Sequence, residues 1–249
     1  MNDLLIFLHI PKTAGSSLVK GLSQNFKTEE VLLLYGIKKT SDLISSKIAS
    51  FDKDKRDSIK LVAGHQVWFG IHNYFPNHRP RYITFLRDPV SRVISNYYKI
   101  LRNPNHQLYQ RFMDNRPTLV KFVNGQVTQV AINHMTVFLG RQKIDTQHNA
   151  SQCTKFNIDL LDKAINNLRE FWFIGLKERY ATDITKISKL INKEITEYFI
   201  NRSVTVQTRR NVPSAEIIRA CHENNQMDSN LYHAAAIANE LQSPKPLIF

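Results

Sequence analysis

The sequence predicts an α/β fold built on a mostly parallel sheet with helices on both faces. Three observations carry this expectation. Short apolar runs alternate along the chain with segments of helical periodicity, the order that produces strand–helix–strand units. The first run, residues 4–8, is apolar without interruption, as a strand buried on both faces must be. No linker, repeat or low-complexity tract divides the 249 residues, and a chain of that length buries a sizeable core without disulfides. One domain over residues 1–249 with a helical insertion in its middle is therefore expected.

Residues 4–10 form the first strand. Residues 16–26 follow as a helix, with Leu18, Leu22 and Phe26 one turn apart. Residues 41–51 are a second helix with Ser41 as N-cap, and the run DKDKRDS at 52–58 reads as a solvated turn. KLVAG at 60–64 and RYITFL at 81–86 are the next strands. Asp88 as N-cap and Pro89 at the first helical position open a helix that runs to about residue 102. Residues 106–140 are helical in pieces broken by Pro117 and Gly125. An amphipathic helix at 157–170, a strand at 171–176 and a helix at 180–193 come next. The basic stretch VQTRRNV at 206–212 precedes two closing helices at 214–224 and 228–242.

Lys and Arg number 34 against 21 Asp and Glu, a net charge of +13. Such an excess favours polyanionic partners: nucleic acid, anionic lipid, an anionic glycan or a multiply phosphorylated cofactor. Charge alone does not choose among them. Apolar residues make up 42% of the chain, and no apolar stretch approaches the roughly 20 residues of a membrane span. The N-terminus has neither a basic stretch ahead of its apolar run nor an A-x-A-like site, so an intracellular, cytoplasmic location is expected. Cys153 and Cys221 lie far apart in no motif and read as reduced thiols. The nine histidines show no metal-ligand spacing, so no metal is expected.

The segment HIPKTAGSSL, residues 9–18, carries the first functional signal. A loop between the first parallel strand and its helix lies at the carboxyl edge of the sheet, where ligands of such folds bind. The helix N-terminus offers free N–H groups and a partial positive charge to phosphate or sulfate oxygens. Lys12 adds a full charge, Thr13, Ser16 and Ser17 add hydroxyls, and Gly15 lets backbone and ligand approach closely. This is not the triphosphate loop G-x-x-x-x-G-K-S/T, in which lysine stands at the end of the loop; here Lys12 comes early and one glycine is present.

Residue for residue, HIPKTAGSSL resembles the 5′-phosphosulfate loop of sulfotransferases, of the branch that includes heparan sulfate 2-O-sulfotransferase and its bacterial relatives. FLRDPVSRVISNYY at 85–98 is similar to that family's 3′-phosphate motif, with Arg87 at a strand end and Ser95 two helical turns later. VAGHQVWFG at 62–70 resembles the segment whose histidine is the proposed base, here His65. WFIGLKERY at 172–180 and MDSNLYHAAA at 227–236 are similar to late family segments. VQTRRNV sits where relatives carry a basic loop over the nucleotide, with Arg209 and Arg210 as candidates. The middle of the chain, 103–156, departs most: relatives carry a polar Asn-Gln-type segment near NHMTVFLGR (133–141), partly occupied here by His134.

The resemblance implies a P-loop-like three-layer sandwich and 3′-phosphoadenosine 5′-phosphosulfate (PAPS) as sulfuryl donor, with no metal. It selects PAPS and its product PAP, rather than nucleic acid, as the polyanionic partner. It implies Lys12, Thr13, Ala14, Gly15, Ser16 and Ser17 around the 5′-phosphosulfate and Arg87 and Ser95 on the 3′-phosphate. Lys12 would stabilise the leaving phosphate and His65 would deprotonate an acceptor hydroxyl, expected on a glycan. Two other classes stay open on the residues alone. One is a nucleotide-dependent phosphotransferase, disfavoured by the missing triphosphate loop and the missing strand-end Asp for Mg²⁺. The other is a catalytically silent binder of PAPS or polyanions, for which His65 would have little use.

Overall fold

Asn2–Leu8 forms β1, the central strand of a five-stranded parallel sheet. The structure is a computed structural model and describes residues 2–36, 40–141, 156–196 and 213–248. The strand order is β2-β3-β1-β4-β5, with β2 at Val31–Leu33, β3 at Leu61–Gly64, β4 at His78–Leu86 and β5 at Phe173–Leu176. The unbroken apolar run of β1 is explained by its two neighbours and two covers. Leu4, Ile6 and Leu8 enter the core on one face, and Leu5 and Phe7 enter the core on the other.

Each face has its own helices. Helices α1 (Gly15–Ser23) and α9 (Tyr180–Ile191) cover one face through Leu18, Leu22, Ile184, Ile187 and Ile191. The other is covered by α2 (Ser41–Ala49), α7 (His134–Gly140), α8 (Ile158–Arg169) and α11 (Gln226–Leu241), which contribute Ile44, Ile48, Met135, Phe138, Leu161 and Leu231. A third apolar cluster unites α4 (Pro89–Arg102), α5 (Tyr109–Asn115), α6 (Leu119–Val123) and α10 (Ala215–Asn224) around Val93, Ile100, Phe112 and Phe122. This cluster is the helical insertion, and α10 from near the end of the chain completes it. A short helix, α3, spans Lys53–Ser58.

Three local readings change. The charged run at 52–58 is a helix and not a turn: Asp52 accepts from the Lys55 amide at 2.7 Å and caps it. The N-cap of α2 is Thr40, whose hydroxyl accepts from the Leu43 amide, so Ser41 is the first helical residue. The edge strand β2 is too short to announce itself by period. Asp88 and Pro89 open α4 as expected, with the Asp88 carboxylate accepting from the Ser91 amide at 2.7 Å. Among the described residues, no helix is long and apolar enough to cross a membrane.

Candidate active site

Register decides which side chains meet. Leu8 pairs with Gly64 on one side of β1 and with Thr84 on the other. The next residue of β1 is therefore beside the residue that follows β3, which brings His9 against His65. Their ring centroids are 4.1 Å apart. On the opposite flank, β4 ends at Leu86 and delivers Arg87, whose guanidinium donates to the Lys12 carbonyl at 3.2 Å. The loop after β1 thus lies between a histidine on one side and an arginine on the other.

The loop is held open by an unusual backbone. Lys12 and Ala14 both have φ of 74°, in the left-handed region that side chains rarely adopt. Ala14 is the left-handed N-cap of α1 and makes no side-chain cap, and the first turn of the helix holds no acidic residue. The amides of Gly15, Ser16 and Ser17 are thereby left for an external acceptor. Thr13 is fully buried and its hydroxyl donates to the Ile10 carbonyl at 2.9 Å, so its side chain closes the loop. Ser16 is exposed and Ser17 buried. Gly15 is required for space: a Cβ there would stand 2.1 Å from the His9 ring.

Lys12 sits in a cationic neighbourhood. Burial lowers its pKa to about 8, and Lys99, Arg87 and Arg102 push in the same direction. Lys99 and Arg102 stand on α4 four and seven residues after Ser95, on one helical face. Burial also lowers the half-buried His106, with Lys99 and Lys12 adding to the effect. Every charged group that shifts Lys12, His65 and His106 is a cation. A group of like charges beside free helix amides suits a multiply charged anion.

His65 stands in a different environment. Its Nδ1 lies 2.8 Å from the His9 carbonyl oxygen. A carbonyl only accepts, so Nδ1 carries the proton and Nε2 presents its lone pair. Burial lowers the His65 pKa to about 4; the bond to His9 opposes this, and Lys99 and Arg141 reinforce it. His9 is buried and held well below the ordinary histidine value by desolvation, with His65, Lys99 and Lys12 contributing. Its Nδ1 meets the Tyr35 hydroxyl at 2.8 Å, and the Tyr35 ring lies edge-on to His65 at 5.0 Å. The backbone that carries His65 depends on Gly64, at φ 152°, where a Cβ would collide with the Leu34 carbonyl at 1.9 Å.

Lys12 to Ser17, His65, Arg87 and Ser95 thus come from elements that meet at one edge of the sheet, while Arg209 and Arg210 lie outside the described residues. Asn133 does not open onto this edge as a free amide: it accepts from the Asp228 amide and is buried against α11. His134 bonds the Val130 carbonyl through Nδ1. Sequence reasoning missed His9, Tyr35, Lys99, Arg102 and Arg141. Only the spacing of Ser95, Lys99 and Arg102 was open to detection, as a basic stripe at helical period.

The family model described as "Sulfotransferase family" matches residues 2–233. The chain belongs to the sulfotransferase family. Within it, this chain is similar to heparan-sulfate 6-O-sulfotransferase 1 of Gallus gallus, at 24% identity over 270 residues covering 94% of this chain and 65% of that protein. Heparan-sulfate 6-O-sulfotransferase 3-B of Danio rerio is 26% identical over 268 residues, covering 94% and 63%. The chain therefore spans a little under two thirds of the length of these relatives. Among solved structures, a sulfotransferase from Alicyclobacillus acidocaldarius aligns with a TM-score of 0.43 at 11% identity, covering 98% of this chain and 97% of that one. Mouse sulfotransferase SULT7A1 complexed with PAP aligns at 0.39 and 9% identity, covering 99% and 69%.

Proposed function

We propose that this chain transfers a sulfuryl group from PAPS to a carbohydrate hydroxyl. The observation that carries the proposal is the cluster of cations at the carboxyl edge of β1 and β4, where Lys12, Arg87, Lys99 and the amides of α1 stand beside a neutral histidine. Family membership supports sulfuryl transfer, and the two relatives named for heparan sulfate support a saccharide acceptor.

In this reading the amides of residues 15–17 and Lys12 hold the 5′-phosphosulfate, and Arg87 and Ser95 hold the 3′-phosphate. Arg209 and Arg210 are assigned to the nucleotide as well. The acceptor oxygen attacks sulfur in line with the departing phosphate oxygen, and the S–O bond to phosphate breaks as the new S–O bond forms. Negative charge grows on the phosphate oxygen, where Lys12 neutralises it. The acceptor proton passes to Nε2 of His65. As in phosphoryl transfer, the protein contributes position and electrostatic stabilisation. Positions on either side of β1 suit this division: β4 brings Arg87 to the donor flank and β3 brings His65 to the acceptor flank.

The test is calorimetry with PAP and AMP, followed by transfer of labelled sulfate from PAPS to a panel of polysaccharides and small alcohols. PAP is expected to bind far more tightly than AMP, and label is expected in a saccharide. Equal affinity for the two nucleotides sinks the Arg87–Ser95 assignment. Tight PAP binding with no transfer to any acceptor supports a silent binder instead.

A further inference from the structure

Arg141 is the residue after α7, and nothing in the mechanism above uses it. Its Nη2 donates to the His65 carbonyl at 2.5 Å and to the Val67 carbonyl at 3.0 Å. Its guanidinium carbon lies 3.8 Å from the centre of the Phe138 ring, three residues earlier in α7. Its Nε is buried without an acceptor, and no ion pair to it is found among the described residues. Placing a cation against two carbonyls, with no carboxylate to balance it among the described residues, is costly unless the position matters. The carbonyls in question belong to the turn that carries His65.

The helix behind Arg141 is anchored at its other end. The Asp228 carboxylate accepts from the Met135 and Thr136 amides and the Thr136 hydroxyl, at 3.2, 2.8 and 2.9 Å. Asp228 in turn faces Arg92 of α4 at 3.7 Å, both side chains being fully buried. Helix α7 is therefore a strut. One end is held by Asp228 of α11, which faces Arg92 on α4, the helix that carries Ser95, and the other ends in a guanidinium on the His65 turn.

We propose that Arg141 is a positioning residue for His65: it fixes the turn after β3 so that the imidazole holds its bond to the His9 carbonyl and aims Nε2 at the acceptor. This rests on the reading of His65 as the base. The groups around the imidazole are the His9 carbonyl and ring, the Tyr35 ring, Lys99 from α4 and Arg141 itself. Arg141 is thus one of two cations that help to keep His65 neutral, and its removal should let the His65 pKa rise from about 4.

Arg141→Gln and Arg141→Lys in the full chain test the proposal through PAP calorimetry, steady-state kinetics and NMR titration of the His65 ring. Arg141→Gln should bind PAP as the wild type does and lose on the order of 10–100-fold in kcat, the scale of a displaced catalytic group. Its His65 midpoint should move up. Arg141→Lys keeps the charge, so the midpoint should stay low while kcat recovers in part. If Arg141→Gln does not fold, Arg141→Lys decides alone: reduced kcat with unchanged PAP affinity supports the proposal, and wild-type kcat overturns it. Arg141→Gln with wild-type kcat and an unmoved midpoint also overturns it. So does a loss of PAP affinity in step with kcat, which marks a merely structural role. Normal Arg141 variants beside a dead His65→Ala refute this inference alone, whereas a fully active His65→Ala refutes the assignment of the base.

Discussion

The two flanks of β1 are built on opposite electrostatic principles. On the β4 side, Arg87, Lys99 and Arg102 crowd Lys12 with positive charge that only an anion relieves. On the β3 side, His9 and His65 are packed against each other and against Tyr35, and burial holds both neutral. One flank concentrates charge and the other excludes it, though the two meet where the His9 ring packs against Gly15, the first residue of α1. A sulfuryl donor needs the first kind of surface and a general base the second. The comparison teaches that one set of surplus cations can act on both flanks: it lowers the pKa of Lys12 and of His65 alike, and in the proposed mechanism it also attracts the donor.

Breaking the acceptor flank should have the largest effect. His65→Ala is expected to lower kcat by about 10²–10⁴-fold, the usual worth of a general base. PAP affinity measured by calorimetry should barely change. Lys12→Ala tests the donor flank and should act on both quantities, weakening PAPS binding and slowing transfer by roughly 10²-fold, or about 3 kcal/mol. If Lys12→Ala spares binding, or His65→Ala abolishes it, the two flanks are not divided as described. Arg87→Ala should cost roughly 1.5–3 kcal/mol of PAP affinity, the scale of a hydrogen bond to a charged group. It should leave AMP affinity nearly unchanged, which a parallel titration checks.

The pH profile sharpens the contrast with a smaller effect. Below about pH 4 in the free enzyme His65 becomes protonated and cannot accept the acceptor's proton, so kcat/KM should fall there and not near the ordinary histidine value. Above about pH 8 Lys12 loses its charge, so kcat/KM should fall again. A bound donor is multiply anionic and favours both protonated forms, so both limbs should lie higher in kcat than in kcat/KM. The acid limb should vanish in an active remnant of His65→Ala. The smallest expected effect is that of excess EDTA on labelled sulfate transfer: none, because Lys12, Arg87 and the α1 amides supply the charge neutralisation. Strict Mg²⁺ dependence would argue for phosphoryl chemistry instead.

The elements of the flank proposed for the donor were legible in the sequence because its parts are contiguous. Strand, loop and helix N-terminus of HIPKTAGSSL follow one another, and Asp88-Pro89 announces the helix that carries Ser95. The spacing from Arg87 to Ser95 needs only one strand end and two helical turns to acquire meaning. Local chemistry also set the alternation of strands and helices and the burial of β1 on both faces. What the tertiary structure alone decided is the histidine flank, proposed for the acceptor. His9 meets His65 because β1 and β3 pair with Leu8 opposite Gly64, and a shift of one residue would separate them. Tyr35 arrives just past an edge strand three residues long, which no periodicity reveals. Arg141 reaches the His65 turn from 76 residues away, because α7 packs where Asp228 and the core place it. Neighbouring residues in sequence set charge and helix ends; register and packing set which buried rings and carbonyls meet, and a histidine kept neutral among cations exists only once they do.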